Sequence, residues 1–97
     1  MALKFKSVSS TATSQTIGLD GAKSVVVHND GTDDVFFRLI EVTDPEPSTA
    51  ASYASTTANA KLTSTDGFPS FPSANGWRCI SIVCDTAKTA TVRLFYV

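Results

Sequence analysis

Apolar and polar side chains alternate along most of this chain, and no helical period competes with that alternation. The segments that read as short strands are 3–8, 16–20, 23–29, 34–42, 76–85 and 89–97. Turn residues separate them at the spacing typical of small β-sandwiches and barrels. The pattern predicts an all-β chain: a single small antiparallel β-sandwich or barrel-like domain of about seven strands, spanning 1–97, with one long irregular loop.

Two pairs of neighbouring strands are predicted to form β-hairpins. Segment 23–29 contains a Val-Val-Val run and leads through an Asn-Asp-Gly-Thr-Asp turn into 34–42. Segment 76–85 leads through an Asp-Thr-Ala-Lys turn into the last strand, 89–97. A further turn, at Asp20 and Gly21, is expected to end strand 16–20.

The middle of the chain has a different composition. Pro45 and Pro47 end the preceding strand, because proline lacks the backbone N–H that a sheet requires. Residues 48–60 are almost all Ala, Ser and Thr, apart from Tyr53 and an asparagine. A short helix is one alternative, but the hydroxyl side chains compete for backbone hydrogen bonds. We predict that 43–66 forms a long loop or arm that projects from the domain and contacts another chain.

Composition excludes several classes of function. The chain carries 8 basic and 9 acidic residues, a net charge of −1, so it has no basic surplus for general nucleic-acid binding. No apolar run reaches the roughly 18–20 residues that a membrane span requires. The first residues lack the apolar core of a signal peptide, so synthesis in the cytoplasm is expected. With 13 threonines and 12 serines, the surface is expected to be rich in hydroxyl groups.

Metal and disulfide chemistry are both disfavoured. Cys79 and Cys84 are five residues apart, which places them on opposite faces of one strand, so free thiols are expected. Together with His28, the only histidine, they do not supply a zinc site. The three carboxylates of a single turn suggest calcium, but turn chemistry explains them equally and the EF-hand spacing is absent. Those residues are Asp30, Asp33 and Asp34. No metal or cofactor is predicted.

The sequence also lacks a catalytic constellation. Ser24, His28 and Asp30 share one face of the predicted strand, but no motif marks a nucleophile or an oxyanion hole. The five glycines form no phosphate-binding loop. The chain is therefore predicted not to be an enzyme, and no residue is assigned a catalytic role.

Four aromatic residues in or beside the irregular middle segment are the predicted interface residues. They are Tyr53, Phe68, Phe71 and Trp77. In one interpretation they contact a partner, or form a stacking platform for a sugar. In the other, the last three cover the open end of the core. A flat exposed row would favour the first interpretation, and burial would favour the second.

Three stretches resemble small β-sandwich virion proteins of tailed bacteriophages. They are SVVVHNDGTDDVFFRL from Ser24, Phe-Pro at 71–72, and ISIVCDTAKTATVRL from Ile80. The resemblance implies a non-enzymatic virion protein, most simply a capsid decoration (cement) protein that binds the particle as symmetric copies. Its partners would be the major capsid protein or neck and tail proteins. A neck or tail accessory protein and a carbohydrate-binding adhesive β-sandwich remain the alternatives.

Overall fold

A computed structural model describes residues 3–44 and 60–97, which form six strands. The strands are β1 (Lys4–Ser10), β2 (Gln15–Asn29), β3 (Val35–Glu41), β4 (Ala60–Leu62), β5 (Ser70–Cys84) and β6 (Ala90–Tyr96). They form one antiparallel sheet in the order β1-β6-β2-β5-β3-β4. The predicted all-β class is confirmed. Among the described residues no helix is long and apolar enough to cross a membrane.

Both predicted hairpins are wrong. β2 pairs with β5 and β6 rather than with β3, and β5 pairs with β2 and β3 rather than with β6. Turn residues are present where predicted, but a turn determines only where the chain reverses direction and not which strands pair. Burial of both apolar faces against one core decides which strands become neighbours, and here it places another strand between each predicted pair.

Two strands are longer than the sequence predicts, because each bends instead of ending. The predicted strands 16–20 and 23–29 are one strand, β2, with positive φ angles of 55° at Asp20 and 75° at Gly21. β5 likewise begins at Ser70 and passes through Gly76, where φ is 92°. A positive φ changes the direction of the backbone, but the strand continues beyond it. The turn predicted at Asp20 and Gly21 is therefore a corner within β2, and Gly76, predicted to begin a strand, is a corner within β5.

These corners divide the sheet into two halves. We name the parts of the bent strands β2a (15–20), β2b (22–29), β5a (70–75) and β5b (77–84). The front half-sheet has the order β1-β6-β2b-β5a, and the back half-sheet has the order β2a-β5b-β3-β4. Counted as eight strands along the chain, the orders are 1-8-3-6 and 2-7-4-5. This is the strand order of a jelly roll, in which a long hairpin is rolled up on itself.

One hydrophobic core lies between the two halves. Leu19, Ile80 and Ile82 enter it from the back half-sheet, and Val27 and Leu94 enter it from the front. All five are fully buried, and alternate residues on each strand supply the others. Half-buried side chains close its margins: Val8, Ile17, Leu39, Phe71 and Trp77.

The two corners touch each other. A Cβ atom added at Gly76 would lie 2.5 Å from the carbonyl oxygen of Gly21, a separation that real structures do not tolerate. At Gly21 the nearest atom to an added Cβ is 3.9 Å away, so space is not limiting there. β2 and β5 can therefore bend together only because residue 76 has no side chain.

The predicted loop at 43–66 is partly wrong. Its last part contains β4, which pairs with residues 35–37 of β3, and Leu62 is buried in the core. After β4, Asp66 accepts a hydrogen bond from the backbone N–H of Thr63 at 2.6 Å and closes a turn. Tyr53 and the rest of 45–59 lie outside the described residues.

A buried asparagine joins the end of β2 to β4. The Asn29 amide donates to the carbonyl oxygens of Asp33 at 2.8 Å and Leu62 at 2.9 Å, and its oxygen accepts from the N–H of Gly31 at 2.9 Å. Its polar atoms are thus satisfied at 1% exposure. The residue read from the sequence as a turn former also fixes the edge strand of the back half-sheet.

Candidate interaction surface

The outward face of the front half-sheet carries an apolar row across three strands. Phe5 of β1 lies opposite Phe95 of β6, which lies opposite Val26 of β2b. The rings of the two phenylalanines have centroids 5.0 Å apart. Phe5 keeps 51% of its surface exposed although it belongs to a regular strand. We call this side of the front half-sheet the outer face.

Exposed apolar side chains concentrate on this half of the molecule. Five large hydrophobic residues remain exposed in the described part of the chain: Leu3, Phe5, Val42, Phe68 and Val97. All except Val42 belong to the front half-sheet or to the segments that adjoin it. Single exposed apolar residues are ordinary, but their concentration on one half of the molecule makes that half the candidate contact surface.

A second row on the outer face is aromatic and polar. The ring of Phe68 stacks on His28 at 3.9 Å with 16° between the ring planes. Nδ1 of His28 lies 2.7 Å from the carbonyl oxygen of Gly67. Because a carbonyl only accepts, Nδ1 carries the hydrogen. The strand thereby holds Phe68 in place, with 61% of its surface exposed.

A charged pair adjoins this stack. Arg93 lies opposite His28 on β6, and its Nε and Nη2 atoms both lie 2.8 Å from Oδ2 of Asp30. Oδ1 of the same carboxylate is 3.8 Å from Nε2 of His28. Both members of the pair are partly exposed, so they retain capacity for hydrogen bonds to a partner.

The Ser24, His28 and Asp30 set is not arranged as a catalytic triad. The Ser24 hydroxyl lies 3.5 Å from the hydroxyl of Ser70, and His28 Nδ1 is bonded to a backbone carbonyl. A triad requires the serine to donate to the imidazole. These residues instead join β2b to β5a and to the turn that precedes it.

The acidic turn residues have separate partners. Asp33 accepts from the N–H of Thr89 at 3.1 Å, Asp34 lies 3.8 Å from Lys61, and Asp30 binds Arg93. Within residues 3–44 and 60–97, no group of three or more His, Cys, Asp or Glu side chains could hold a metal ion.

Both cysteines are buried and neither forms a disulfide, and they lie on opposite sides of β5 as the alternation predicts. Cys84 is in the core, and its Sγ lies 3.6 Å from the carbonyl oxygen of Ser10.

The three predicted interface residues that the structure describes do not lie on one surface. Phe68 is exposed on the outer face, whereas Phe71 and Trp77 pack against the core. The ring of Phe71 makes an edge contact with Phe37 at 5.4 Å, and Nε1 of Trp77 donates to the Phe71 carbonyl at 2.9 Å. Tyr53 is outside the described residues. Phe68, Phe71 and Trp77 therefore form no flat exposed row.

Sequence reasoning missed Phe5 and Phe95. Alternation alone predicted that both lie in strands, but not that the first and last strands are neighbours. A phenylalanine at the solvent side of an edge strand was the available signal, and it becomes informative only once the pairing is known.

No protein-family model matches this chain, and no curated protein or solved structure shows significant similarity to it. The strand order and the outer face are therefore the observations from which a function is inferred below.

Proposed function

We propose that this chain is a non-enzymatic structural protein of a phage virion, a capsid decoration (cement) protein that binds the particle surface as symmetric copies. The outer face is its contact surface, and the major capsid protein is its partner. A neck or tail accessory protein would use the same face on a different site of the particle. Neither proposal requires a cofactor or nucleic acid.

The observation that carries this proposal is the concentration of exposed apolar side chains on one half-sheet. Phe5 and Phe95 occupy regular, hydrogen-bonded strands, and stacking on His28 of β2b holds the ring of Phe68 in place. A rigid surface loses little conformational entropy on binding, and aromatic side chains are enriched at protein interfaces. The geometry is that of a preformed docking face.

The strand order gives independent support from fold-level analogy. Jelly rolls are common in viral capsid proteins and in lectins, and the same fold serves many functions. The hydroxyl-rich, nearly neutral composition suits a component that packs among other proteins, because few charges must be desolvated.

The test begins with mass spectrometry of purified virions from the source, in which a stoichiometric amount of this chain is expected. Absence of the chain from every purified particle would overturn the proposal. The second step measures binding of the purified chain to particles that lack it.

Two variants should separate the outer face from the rest of the surface. Phe68→Ser should weaken binding to particles at least tenfold, about 1.4 kcal/mol, because the exposed ring is lost while the strand remains intact. Val42→Ser is the matched control: it removes an exposed apolar side chain away from the outer face and should bind as the wild type does. Equal weakening by both variants would contradict the assignment of the face.

A carbohydrate-binding module is the second candidate, and one arrangement favours it. Phe68 exposes an aromatic ring beside the Arg93–Asp30 pair, and sugar recognition commonly combines a ring that stacks on the apolar face of the sugar with side chains that bind its hydroxyls. Titration with host surface polysaccharides, followed by chemical shifts of Phe68 and Arg93, tests this. Saturable binding that Phe68→Ala abolishes would replace the virion-docking proposal for this face.

A further inference from the structure

β1 is at one end of the strand order, so only one of its edges is paired in the described part of the chain. The pairing shows which of its residues direct their backbone groups to the open edge. In β6, the carbonyl oxygen of Thr91 accepts from Asp30 N–H, and Val97 exchanges backbone hydrogen bonds with Ser24. The odd-numbered residues of β6 therefore direct their backbone N–H and C=O groups toward β2. The even-numbered residues of β6 therefore direct their backbone groups toward β1.

The even residues of β6 lie opposite the even residues of β1, as in the pair Lys6 and Leu94. In an antiparallel ladder the residues between such pairs direct their N–H and C=O groups away from the partner strand. Phe5, Ser7 and Ser9 thus direct their backbone groups toward the open edge, where no described strand pairs with them.

The charged residues of β1 do not protect this edge. Nζ of Lys4 binds Asp20 at 3.1 Å, and Nζ of Lys6 binds the carbonyl oxygen of Gly18 at 3.0 Å. Both ammonium groups lie on the inner side, within 6 Å of the Tyr96 ring. Native proteins commonly protect open edges with outward lysines or prolines, and β1 has neither on its outer side.

β2 also leaves this edge accessible, since Phe5, Ser7 and Ser9 are all exposed. A depression of about 270 Å³, bordered by Lys4, Leu19 and Asp20, separates the start of β1 from the corner of β2. Farther along, the Gln15 side chain donates to the Ser9 carbonyl at 2.6 Å. This is a single side-chain bond that an incoming backbone N–H can replace.

We propose that two copies of this chain pair through β1, antiparallel about a twofold axis at Ser7. The strand's seven residues, Lys4–Ser10, are centred on Ser7, so this register overlaps the whole strand with itself. It sets Lys6 opposite Val8 of the partner subunit and Phe5 opposite Ser9 of the partner subunit. A twofold axis at Phe5 would instead set Lys4 opposite Lys6 of the partner subunit, and opposed like charges destabilise a sheet.

The pairing joins two front half-sheets into one eight-stranded sheet. The two outer faces then form one continuous surface, with Leu3 and Phe5 near its centre. This inference deepens the proposed function and rests on its expectation of symmetric copies, for which a twofold is the commonest arrangement. It names a second copy as the partner because β1 is self-complementary in length and backbone groups, and because the register at Ser7 sets no lysine opposite another.

Sedimentation velocity of the purified full chain tests the pairing. A seven-residue edge is at the weak end of protein interfaces, so the measurements should span roughly 1 μM to 1 mM. The wild type should convert from monomer to dimer within that range. A wild type that is monomeric throughout would overturn the inference.

Ser7→Pro tests the role of the backbone. It removes an N–H that points to the open edge and leaves the bonds to β6 intact, so it should fold normally and remain monomeric. Ser7→Ala is the matched control: it keeps the N–H and should dimerise as the wild type does. Unchanged dimerisation of a folded Ser7→Pro variant would place the contact elsewhere and contradict the inference.

A cross-link tests the register. Directly opposite residues of a hydrogen-bonded antiparallel pair have Cα atoms about 5.5 Å apart, within reach of a disulfide. Ser7→Cys should therefore oxidise to a covalent dimer. Thr91→Cys, on the same face but one strand farther in, should not. Equal cross-linking of both variants would contradict the twofold at Ser7.

These outcomes are distinct from those of the virion experiments. A dimer of the purified chain that is absent from particles would refute the proposed function and keep the pairing. A monomer that decorates particles stoichiometrically would do the reverse.

Discussion

The corner at Gly21 and Gly76 and the open edge of β1 are both departures from a regular sheet, but they constrain the chain in opposite ways. At the corner, two strands bend in contact, and backbone atoms leave no room for one Cβ. At the edge, Phe5 and Ser7 lie on an exposed strand whose backbone bonds to β6 do not depend on their side chains. Substitutions at the corner should affect folding, and substitutions at the edge should affect association.

The comparison also shows why the two regions look so different in sequence. The corner is marked by glycines, because only glycine readily adopts positive φ at close backbone approach. The edge is marked by Phe5, which contacts Phe95 and still keeps half of its surface exposed. The glycines at the corner are required for the fold, whereas the exposed side chain at the edge is available to contact a partner.

The largest expected effect is at Gly76. Gly76→Ala places a Cβ 2.5 Å from the Gly21 carbonyl oxygen at a φ of 92°, so both overpacking and backbone strain oppose it. We expect a loss of about 4 kcal/mol in the free energy of unfolding. Urea denaturation followed by tryptophan fluorescence measures it, since Trp77 is the next residue. A loss below about 1 kcal/mol would show that the corner is not closely packed.

Gly21 sharpens that test, because it shares the positive φ without the steric block. Gly21→Ala should cost about 1–2 kcal/mol, the strain of a left-handed conformation alone. The same denaturation experiment compares the two variants. Equal losses at both glycines would attribute the corner to dihedral angle and not to contact between the strands.

Ser10, at the covered end of β1, should respond with the opposite sign. Its hydroxyl oxygen is fully buried and has no hydrogen-bond partner among the residues that the structure describes. Ser10→Ala removes an unsatisfied polar atom and should raise the free energy of unfolding by up to about 1 kcal/mol. Thermal unfolding monitored by circular dichroism detects this, and Ser9→Ala, on the exposed side of the same strand, is the control. Destabilisation would indicate that the hydroxyl has a partner.

The smallest effect on stability is expected at Phe5. Phe5→Ser, measured by denaturation at low micromolar concentration, should change the free energy of unfolding by less than about 1 kcal/mol, since half of the ring is already exposed. The same variant should weaken self-association in sedimentation. A large loss of stability would show that Phe5 is needed for folding, and the edge would then not differ from the corner in this respect.

Much of the local structure could be predicted from sequence. The strand character of 23–29, 34–42 and 89–97, and the alternation that sends Ile80 and Ile82 to one side, follow from periodicity alone. β4 was missed because three residues, Ala60–Leu62, carry no measurable alternation. The candidate surface was predicted only in part: Phe68 was found, and Phe5 was not.

The sequence by itself determined where strands run, which side of each strand is apolar, and where the chain can change direction. These properties depend on near neighbours, because a strand's side chains alternate whatever lies beside it. It also placed glycine at residues 21 and 76, without indicating whether the strands end or bend there.

Only the tertiary structure decided the pairing. β2 meets β5 and β6, and β1 meets β6, because two half-sheets must bury their apolar faces in a single core and satisfy their backbone groups at the same time. That requirement is met over the whole chain and is not encoded at any one turn. The same pairing brought Phe5 beside Phe95 and left β1 at the edge, so the candidate interaction surface followed from contacts between residues 90 positions apart.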